Sequence, residues 1–207
     1  MPTLRALILD LGEVLVRAQP AEVVAAMARR ARVSLPAFTA GYWAHRRAYD
    51  LHGDALRFWE PVLAHARSPL PAGERPEAIR DLVALDVQSW TDYREEVWAL
   101  AARFRAGGGK LALLSNGIPE ITEAVRRERA LDRTFDAVVV SYAVGVAKPD
   151  RAIYTLVLQR LGVAAPEALF VDDRAENIAG AAAAGIEGLH FTGEESVAAL
   201  RARLGFA

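Results

Sequence analysis

One stretch decides the fold: Leu4-Arg5-Ala6-Leu7-Ile8-Leu9-Asp10. It is an apolar run of strand length that ends in a carboxylate, and a short run bounded in this way is typical of a buried strand of a parallel sheet. In such sheets the carboxyl ends of the strands form the edge at which ligands bind. Asp10 is therefore predicted to lie at that edge, where its carboxylate can act as a nucleophile.

Four further strand-like runs follow along the chain: Lys110–Ser115, Asp136–Ser141, Ala168–Asp172 and Gly188–Phe191. Helical patterns accompany the later strands, at Pro119–Arg129, Asp150–Leu161, Ala175–Ala184 and Glu194–Leu204. Strands that alternate with helices of this length form βαβ units, because a parallel return needs a crossover. The predicted fold class is therefore α/β, with a doubly wound parallel sheet.

The segment from about residue 17 to residue 90 breaks this alternation and is predicted to be helical throughout. We expect a small all-helical cap inserted after the first strand, so that residues 1–16 and 91–207 form the α/β core and residues 17–90 form the cap. A cap in this position would lie over the strand ends, and its side chains are expected to select the substrate.

Within the expected cap, three aromatic residues are predicted to pack its interior, namely Trp43, Phe58 and Trp59. Arg46 and Arg47 are predicted to lie on a solvated helix face, because long charged side chains are mostly exposed, and contact with the substrate is the alternative.

Composition restricts the function further. With 207 residues, of which 53% are hydrophobic, the chain can bury a full core. Its 25 Lys and Arg nearly balance its 26 Asp and Glu, so a nucleic-acid or membrane partner is not expected, and a small-molecule substrate is. The absence of Cys excludes thiolate catalysis and indicates that any metal binds to oxygen or imidazole.

No apolar run approaches a membrane span, so a cytoplasmic location is expected. The oligomeric state stays open.

Polar residues that suit phosphate chemistry follow two of the predicted strands. After the second core strand come Ser115, Asn116 and Gly117, whose hydroxyl and main-chain N–H groups can hold phosphate oxygens, although an ordinary turn has the same composition. Lys148 precedes a helix that Asp150 can cap. A cation at this edge would offset the repulsion between an anionic nucleophile and a phosphate dianion.

Two adjacent carboxylates, Asp172 and Asp173, end the fourth strand. Their mutual repulsion is costly unless a cation offsets it, and oxygen-rich sites of this kind suit Mg²⁺. Asn177 is predicted to orient Asp173, since the two residues are four apart.

The order Asp, Ser, Lys-Pro, Asp-Asp, each at a strand end of one predicted sheet, is a specific combination. With it the chain resembles the haloacid dehalogenase superfamily of aspartate-nucleophile hydrolases over essentially its whole length. Three motifs are similar to the branch that contains bacterial α-glucose-1-phosphate phosphatases: Asp10-Leu11-Gly12-Glu13-Val14-Leu15, Lys148-Pro149-Asp150-Arg151-Ala152-Ile153-Tyr154 and Phe170-Val171-Asp172-Asp173-Arg174-Ala175-Glu176-Asn177-Ile178.

The resemblance implies a Mg²⁺-dependent phosphomonoester hydrolase that forms an aspartyl-phosphate on a small phosphorylated metabolite, such as a sugar phosphate. It implies that Asp10 is both nucleophile and metal ligand, and that Ser115 and Lys148 assist catalysis and bind phosphate, with Asn116 beside them. The other metal ligands it implies are the Gly12 carbonyl and the pair Asp172 and Asp173; which of these two binds directly stays open.

Gly12 departs from the pattern of the superfamily. Most of its phosphatases carry a second Asp at this position, which protonates the leaving group and contributes roughly 10²–10⁴-fold to the rate. Glu13 is not expected to substitute, because neighbouring side chains of an extended segment point to opposite faces. What replaces the missing acid is not determined by the sequence.

Three alternatives follow from these observations. A 2-haloacid dehalogenase uses the same nucleophile and needs no second acid, but Asp172 and Asp173 would serve no purpose in it. A phospho-acceptor signalling domain would carry its acidic pair after the first strand rather than a late one. A catalytically weak relative that serves as a binding module is compatible with Gly12.

Overall fold

The structure, a computed structural model, describes residues 4–206. Its strands are β1 (Ala6–Leu9), β2 (Lys110–Ser115), β3 (Ala137–Val140), β4 (Ala168–Asp172) and β5 (Glu187–His190). They form one parallel sheet in the order β3-β2-β1-β4-β5. The predicted α/β fold class is thereby confirmed. Residues 1–3 and 207 of the expected core lie outside the described residues.

Four helices lie between β1 and the next helix of the core, and we call them the helical insertion: α1 (Ala21–Arg30), α2 (Leu35–His52), α3 (Ala55–His65) and α4 (Arg75–Ser89). The other helices are α5 (Glu95–Ala106), α6 (Pro119–Arg129), α7 (Leu131–Thr134), α8 (Ser141–Val144), α9 (Arg151–Leu161), α10 (Ala175–Ala183) and α11 (Glu194–Arg203). Among residues 4–206, no helix has both the length and the hydropathy that crossing a bilayer requires.

The central strand β1 is buried on both faces, which explains why its sequence is continuously apolar rather than alternating. Leu7 and Leu9 belong to the hydrophobic core on one side of the sheet, and Ala6 and Ile8 belong to the core on the other side. Because its neighbours are β2 and β4, the end of β1 lies between the ends of these two strands.

The chain leaves the core for the helical insertion and returns to it at one place. Val16 and Tyr93 form an antiparallel bridge, and the Arg94 N–H donates to the Leu15 carbonyl at 3.0 Å. Inside the insertion, the aromatic side chains of Phe58 and Trp59 are buried, as the sequence predicted.

The C-terminal end of α2 packs directly on the core. The Tyr49 hydroxyl donates to the Glu120 carboxylate at 2.9 Å, and the Ser141 hydroxyl donates to the Asp50 carbonyl. Gly53 ends α2 in the left-handed region, with φ 61°, and lies against Pro119. These contacts hold the end of α2 above the carboxyl ends of the strands.

Candidate active site

Three charged residues of the predicted site meet at the carboxyl edge of the sheet. The Lys148 Nζ lies 2.9 Å from the Asp10 Oδ1 and 2.7 Å from the Asp172 Oδ2, and it donates to the Leu114 carbonyl at 2.9 Å. Asp10 follows β1 and Asp172 ends the adjacent strand β4, so the parallel pairing of these strands brings both carboxylates to Lys148. All three ammonium protons are engaged, so Lys148 is held in one position.

Burial dominates the electrostatics of this cluster. It raises the pKa of the Asp10 carboxyl above its ordinary value, and the Lys148 ammonium counteracts part of that rise. Burial also acts to lower the pKa of Lys148, but the carboxylates of Asp10 and Asp172 outweigh it and raise this pKa above its ordinary value. Lys148 is therefore a permanent cation next to the Asp10 carboxylate.

The two oxygens of Asp10 have different surroundings. Oδ1 accepts a hydrogen bond from the Leu11 N–H at 2.7 Å and contacts Lys148. Among the described residues, nothing donates a hydrogen bond to Oδ2. This oxygen is free to attack an electrophile held at the strand ends.

The three carboxylates that the sequence predicted as metal ligands lie close together. Ligand atoms of Asp10, Asp172 and Asp173 all lie within 4.8 Å of one another. Burial raises the pKa of Asp173 to about 6, and the nearby carboxylates of Asp172 and Glu13 add to that rise. Gly12 lines the same cavity. Such a convergence of hard anionic oxygens fits Mg²⁺, whose charge would favour the ionised carboxylates.

The two aspartates of the pair differ in their hydrogen bonds. Asp172 is fully buried, and its carboxylate accepts from the Arg174 N–H at 2.8 Å and from the Asn177 side-chain amide at 2.9 Å. The prediction that Asn177 orients Asp173 is therefore wrong. Spacing of four brings side chains together only within a helix, and Asp173 precedes the start of α10 at Ala175.

The other two predicted phosphate-binding residues lie next to Lys148. Ser115 is buried at the end of β2 and lines the cavity. The Asn116 side chain accepts from the Lys148 N–H at 2.8 Å and donates to the Lys148 carbonyl at 3.0 Å. This side chain thus positions the Lys148 loop, which leaves its second amide proton and the Asn116 main chain for any contact with a substrate.

Three residues of the helical insertion and one that follows α4 line the same cavity as Asp10 and Lys148: Trp43, Arg46, Asp50 and Trp90. Sequence reasoning treated substrate contact as the weaker alternative for Trp43 and Arg46, and it missed Asp50 and Trp90. The prediction of a solvated face for Arg46 is wrong, because only 8% of this residue is exposed. Trp43 does not pack the interior as predicted, since it is 52% exposed. Both errors have one cause: the face of α2 that is covered depends on how α2 docks over the sheet.

The turn after Asp10 differs from the extended segment assumed from the sequence. Glu13 has φ 55°, in the left-handed region, and this residue lines the cavity. A Cβ at residue 12 would lie 3.5 Å from the Trp90 ring, which is an ordinary contact distance. The position of the missing second acid therefore lies beneath the indole of Trp90.

Comparison with known proteins supports the same family as the motifs. The model of the haloacid dehalogenase-like hydrolases matches residues 4–185. A phosphoserine phosphatase of Thermus thermophilus is 34% identical over 118 residues, which cover 56% of this chain and 47% of that protein. The chain thus spans about half the length of this curated relative.

Solved structures of the family share the fold. A haloacid dehalogenase family enzyme of Bacteroides thetaiotaomicron, in complex with magnesium and inorganic phosphate, has a TM-score of 0.67 and 18% identity, covering 90% of this chain and 93% of that one. An L-2-haloacid dehalogenase of Xanthobacter autotrophicus has a TM-score of 0.70 and 22% identity, covering 99% of this chain and 85% of that one. At these identities the likeness concerns the fold alone.

Proposed function

Because the chain belongs to the haloacid dehalogenase-like hydrolase family, we propose that it hydrolyses phosphate monoesters of small metabolites. The observation that carries this proposal is the ion pair of Asp10 and Lys148, 2.9 Å apart beside a group of three carboxylates. This arrangement combines a nucleophile, a cation for phosphate and ligands for a metal ion. The phosphoserine phosphatase relative is in agreement with it.

The reaction would proceed in two steps at Asp10. In the first, the Oδ2 oxygen forms a bond to phosphorus while the ester P–O bond breaks and the alkoxide departs, taking a proton from water. In the second, water attacks phosphorus, its proton passes to solvent, and the Asp10 carboxylate is released with inorganic phosphate. Lys148 and Ser115 would hold the phosphate oxygens during both steps, which requires Lys148 to exchange one of its present contacts for phosphate.

A magnesium ion would be held by Asp10, by the Gly12 carbonyl and by one or both of Asp172 and Asp173. When bound, it would supply positive charge that neutralises the phosphate and orients it. The relative with magnesium and phosphate in its structure supports this choice of metal.

We further propose that the helical insertion is a cap, so that residues 17–90 select the leaving group above a core of residues 1–16 and 91–207. The insertion places Trp43, Arg46 and Asp50 on the same cavity as Asp10. Polar and aromatic side chains together suit a hydroxylated substrate such as a sugar phosphate, in agreement with the motif resemblance.

A 2-haloacid dehalogenase is the second candidate, and Gly12 is the observation that favours it, because that reaction needs no acid at this position. The cluster of Asp10, Asp172 and Asp173 argues against it. Without a metal ion, Lys148 alone would offset the charge of these three carboxylates, and the remaining negative charge would repel a carboxylate substrate.

A panel of phosphate monoesters, assayed with Mg²⁺ and with EDTA, tests the proposal and separates it from this alternative. We expect phosphate release that depends on Mg²⁺ and no chloride release from (S)-2-chloropropionate. Chloride release that is indifferent to EDTA would establish the dehalogenase instead. The absence of both activities would indicate a binding module.

The metal site gives a separate prediction. Wild-type protein should bind Mg²⁺ in a calorimetric titration, whereas an Asp172→Asn/Asp173→Asn double variant should bind it at least about tenfold more weakly, because two of three anionic ligands are lost. The exposed variant Asp92→Asn, which makes the same chemical change elsewhere, is the control. Equal affinities of wild type and double variant would show that the ion, if it binds, uses other residues.

Gly12 leads to a prediction about leaving groups. With no acid at this position, the departing oxygen leaves with little protonation, so kcat/KM should fall steeply as the pKa of the leaving group rises. Aryl and anomeric sugar phosphates should therefore react faster than phosphates of simple primary alcohols.

The measurement is kcat/KM across a graded series of phosphate monoesters for wild type and for Gly12→Asp. The contact distance to Trp90 leaves room for a Cβ at residue 12, so the variant should fold and its added carboxylate should flatten the slope. A wild-type slope as shallow as that of the variant would mean that another group already supplies the proton.

A further inference from the structure

An ion pair of the helical insertion faces the candidate active site. The Arg46 Nε lies 2.8 Å from the Asp50 Oδ1, one turn apart on α2, and both residues line the cavity that contains Asp10 and Lys148. If phosphate is held by Lys148 at the strand ends, the rest of the substrate extends into the cavity that this pair lines. The pair is thus placed to contact the leaving group.

The positive charge of Arg46 is already balanced by carboxylates. The Asp86 Oδ2 of a second carboxylate lies 3.8 Å from the Arg46 Nη1. The Tyr42 hydroxyl donates to Asp86 and accepts from Arg46. Asp86 is only 1% exposed, and its Oδ2 has no hydrogen-bond partner among residues 4–206. One guanidinium thus serves two acids, and the cluster is neutral or negative while Asp50 is ionised.

Each member of the pair keeps one polar group that has no partner within the described residues. The Asp50 Oδ2 and the Arg46 Nη2 take part in no hydrogen bond within the described part of the chain. A hydroxyl can donate to the first and accept from the second without breaking the ion pair. An anion at the Arg46 Nη2 would lie beside the Asp50 carboxylate, which repels it, and it could replace Asp50 only by leaving that carboxylate unpaired at a largely buried position.

We infer that Asp50 makes the site selective against phosphate monoesters whose leaving group carries a second anionic group, and in favour of neutral hydroxylated leaving groups. This inference rests on the proposed phosphatase function and adds the charge of the substrate to it. Selectivity would arise in two ways: the Asp50 carboxylate repels an anionic leaving group, and it accepts a hydrogen bond from a hydroxylated one. Trp43 and Trp90 border the same space and offer apolar faces to the carbon skeleton.

Glycerol 3-phosphate and 3-phosphoglycerate test this inference, because they share a three-carbon skeleton and differ in a terminal hydroxymethyl or carboxylate. The quantity is the ratio of their kcat/KM values, measured on one preparation so that the fraction of folded enzyme cancels. Wild type should favour glycerol 3-phosphate by at least about tenfold, and Asp50→Asn should reduce this ratio by at least about tenfold.

Asp54→Asn is the matched control. It removes the same charge four residues further along the insertion, and Asn preserves the N-cap bond that Asp54 makes to the Arg57 N–H at 3.1 Å. Its ratio should stay within about twofold of wild type, as is usual for surface substitutions. If Asp54→Asn changes the kcat/KM ratio as much as Asp50→Asn does, the inference is overturned, because the loss of one negative charge anywhere in the insertion would then explain both changes.

Two further outcomes would overturn it: a wild-type preference for 3-phosphoglycerate, or a ratio that Asp50→Asn leaves unchanged. Equal losses of kcat/KM on both substrates also leave the ratio unchanged. This result is expected if Asp50 only donates a proton or only supports the fold, because both leaving groups are alcohols.

The affinities of the same two esters, measured by calorimetry on Asp10→Asn with and without Asp50→Asn, separate this inference from the proposed function. If wild type hydrolyses neither ester nor 4-nitrophenyl phosphate, the proposed function fails. The inference about charge then still stands if the affinity ratio responds to Asp50→Asn, and it falls if the ratio does not.

Discussion

Asp10→Asn is expected to lower kcat by at least about 10⁴-fold while the protein remains folded. An amide has nearly the shape of a carboxylate but is a poor nucleophile, and the variant keeps the side-chain oxygen that accepts from the Leu11 N–H. Lys148 retains its partner Asp172, so no buried cation is left unpaired. The measurement is steady-state phosphate release together with thermal unfolding, with Asp92→Asn as the control for an Asp to Asn change.

Isotope labelling distinguishes hydrolysis at phosphorus from hydrolysis of an ester intermediate at the Asp10 carbonyl carbon. If the phosphoryl group passes through Asp10 and water then attacks phosphorus, repeated turnover in ¹⁸O-labelled water should place label in inorganic phosphate and none in the Asp10 carboxylate. Hydrolysis at phosphorus leaves the Asp10 oxygens unlabelled, whereas attack at the carbonyl carbon labels them, so the position of label reports which bond breaks.

When water attacks phosphorus, the ¹⁸O enters inorganic phosphate and Asp10 keeps both of its oxygens. Label in the Asp10 carboxylate is instead the signature of attack at its carbonyl carbon, as an ester intermediate of the dehalogenase alternative would require. For a phosphatase we therefore expect ¹⁸O in phosphate and none in Asp10.

Since direct attack by water on the substrate also labels only phosphate, a covalent intermediate must be sought separately. Acid quenching during turnover should trap a phosphoryl group on the wild-type protein, detected by mass spectrometry on the peptide that contains Asp10. The Asp10→Asn variant should show none. A wild-type enzyme that turns over rapidly and forms phosphoprotein only at another residue would remove Asp10 from the nucleophile role.

Lys148→Gln is expected to lower kcat/KM by about 10²–10³-fold, because it removes the cation that offsets charge on the phosphate. It should also lower the free energy of unfolding by about 3 kcal/mol, since the carboxylates of Asp10 and Asp172 would lose their shared partner in a buried site. Both effects arise from one residue because Lys148 is only 3% exposed and contacts both acids.

The chain contains one other lysine, Lys110, which provides a matched control. It begins β2 at the opposite end of the sheet, where its Nζ donates to the Leu161 carbonyl at 2.6 Å. Lys110→Gln should leave kcat/KM within about twofold of wild type, since it lies away from the candidate site. Activity assays and urea unfolding of both variants give the comparison, and similar activity losses in the two would contradict the role given to Lys148.

Much of the fold could be predicted from local patterns. The helix predicted at Pro119–Arg129 has the bounds that the structure shows, and β2 and β4 also lie where they were predicted. Apolar runs and helix periodicity are properties of neighbouring residues, so they can be recognised without knowledge of the rest of the chain. The short helix α8 was missed, because four residues are too few to show a period.

The candidate site was predictable where it depends on strand ends. Asp10, Ser115 and Asp172 each stand at the end of a strand, and a parallel sheet brings such ends to one edge. The sequence by itself therefore determined the fold class, the edge of the sheet at which chemistry can occur and the residues that approach one another there.

Only the tertiary structure decided what faces that edge from the helical insertion. The burial of Arg46, its bond to Asp50 and the proximity of Trp90 to Gly12 all depend on how α2 and the end of α4 dock over the strands. The bond from Asn177 to Asp172 likewise depends on the turn between β4 and α10. These contacts join residues that are distant in sequence or lie in irregular turns, and no local periodicity records which side chains will meet.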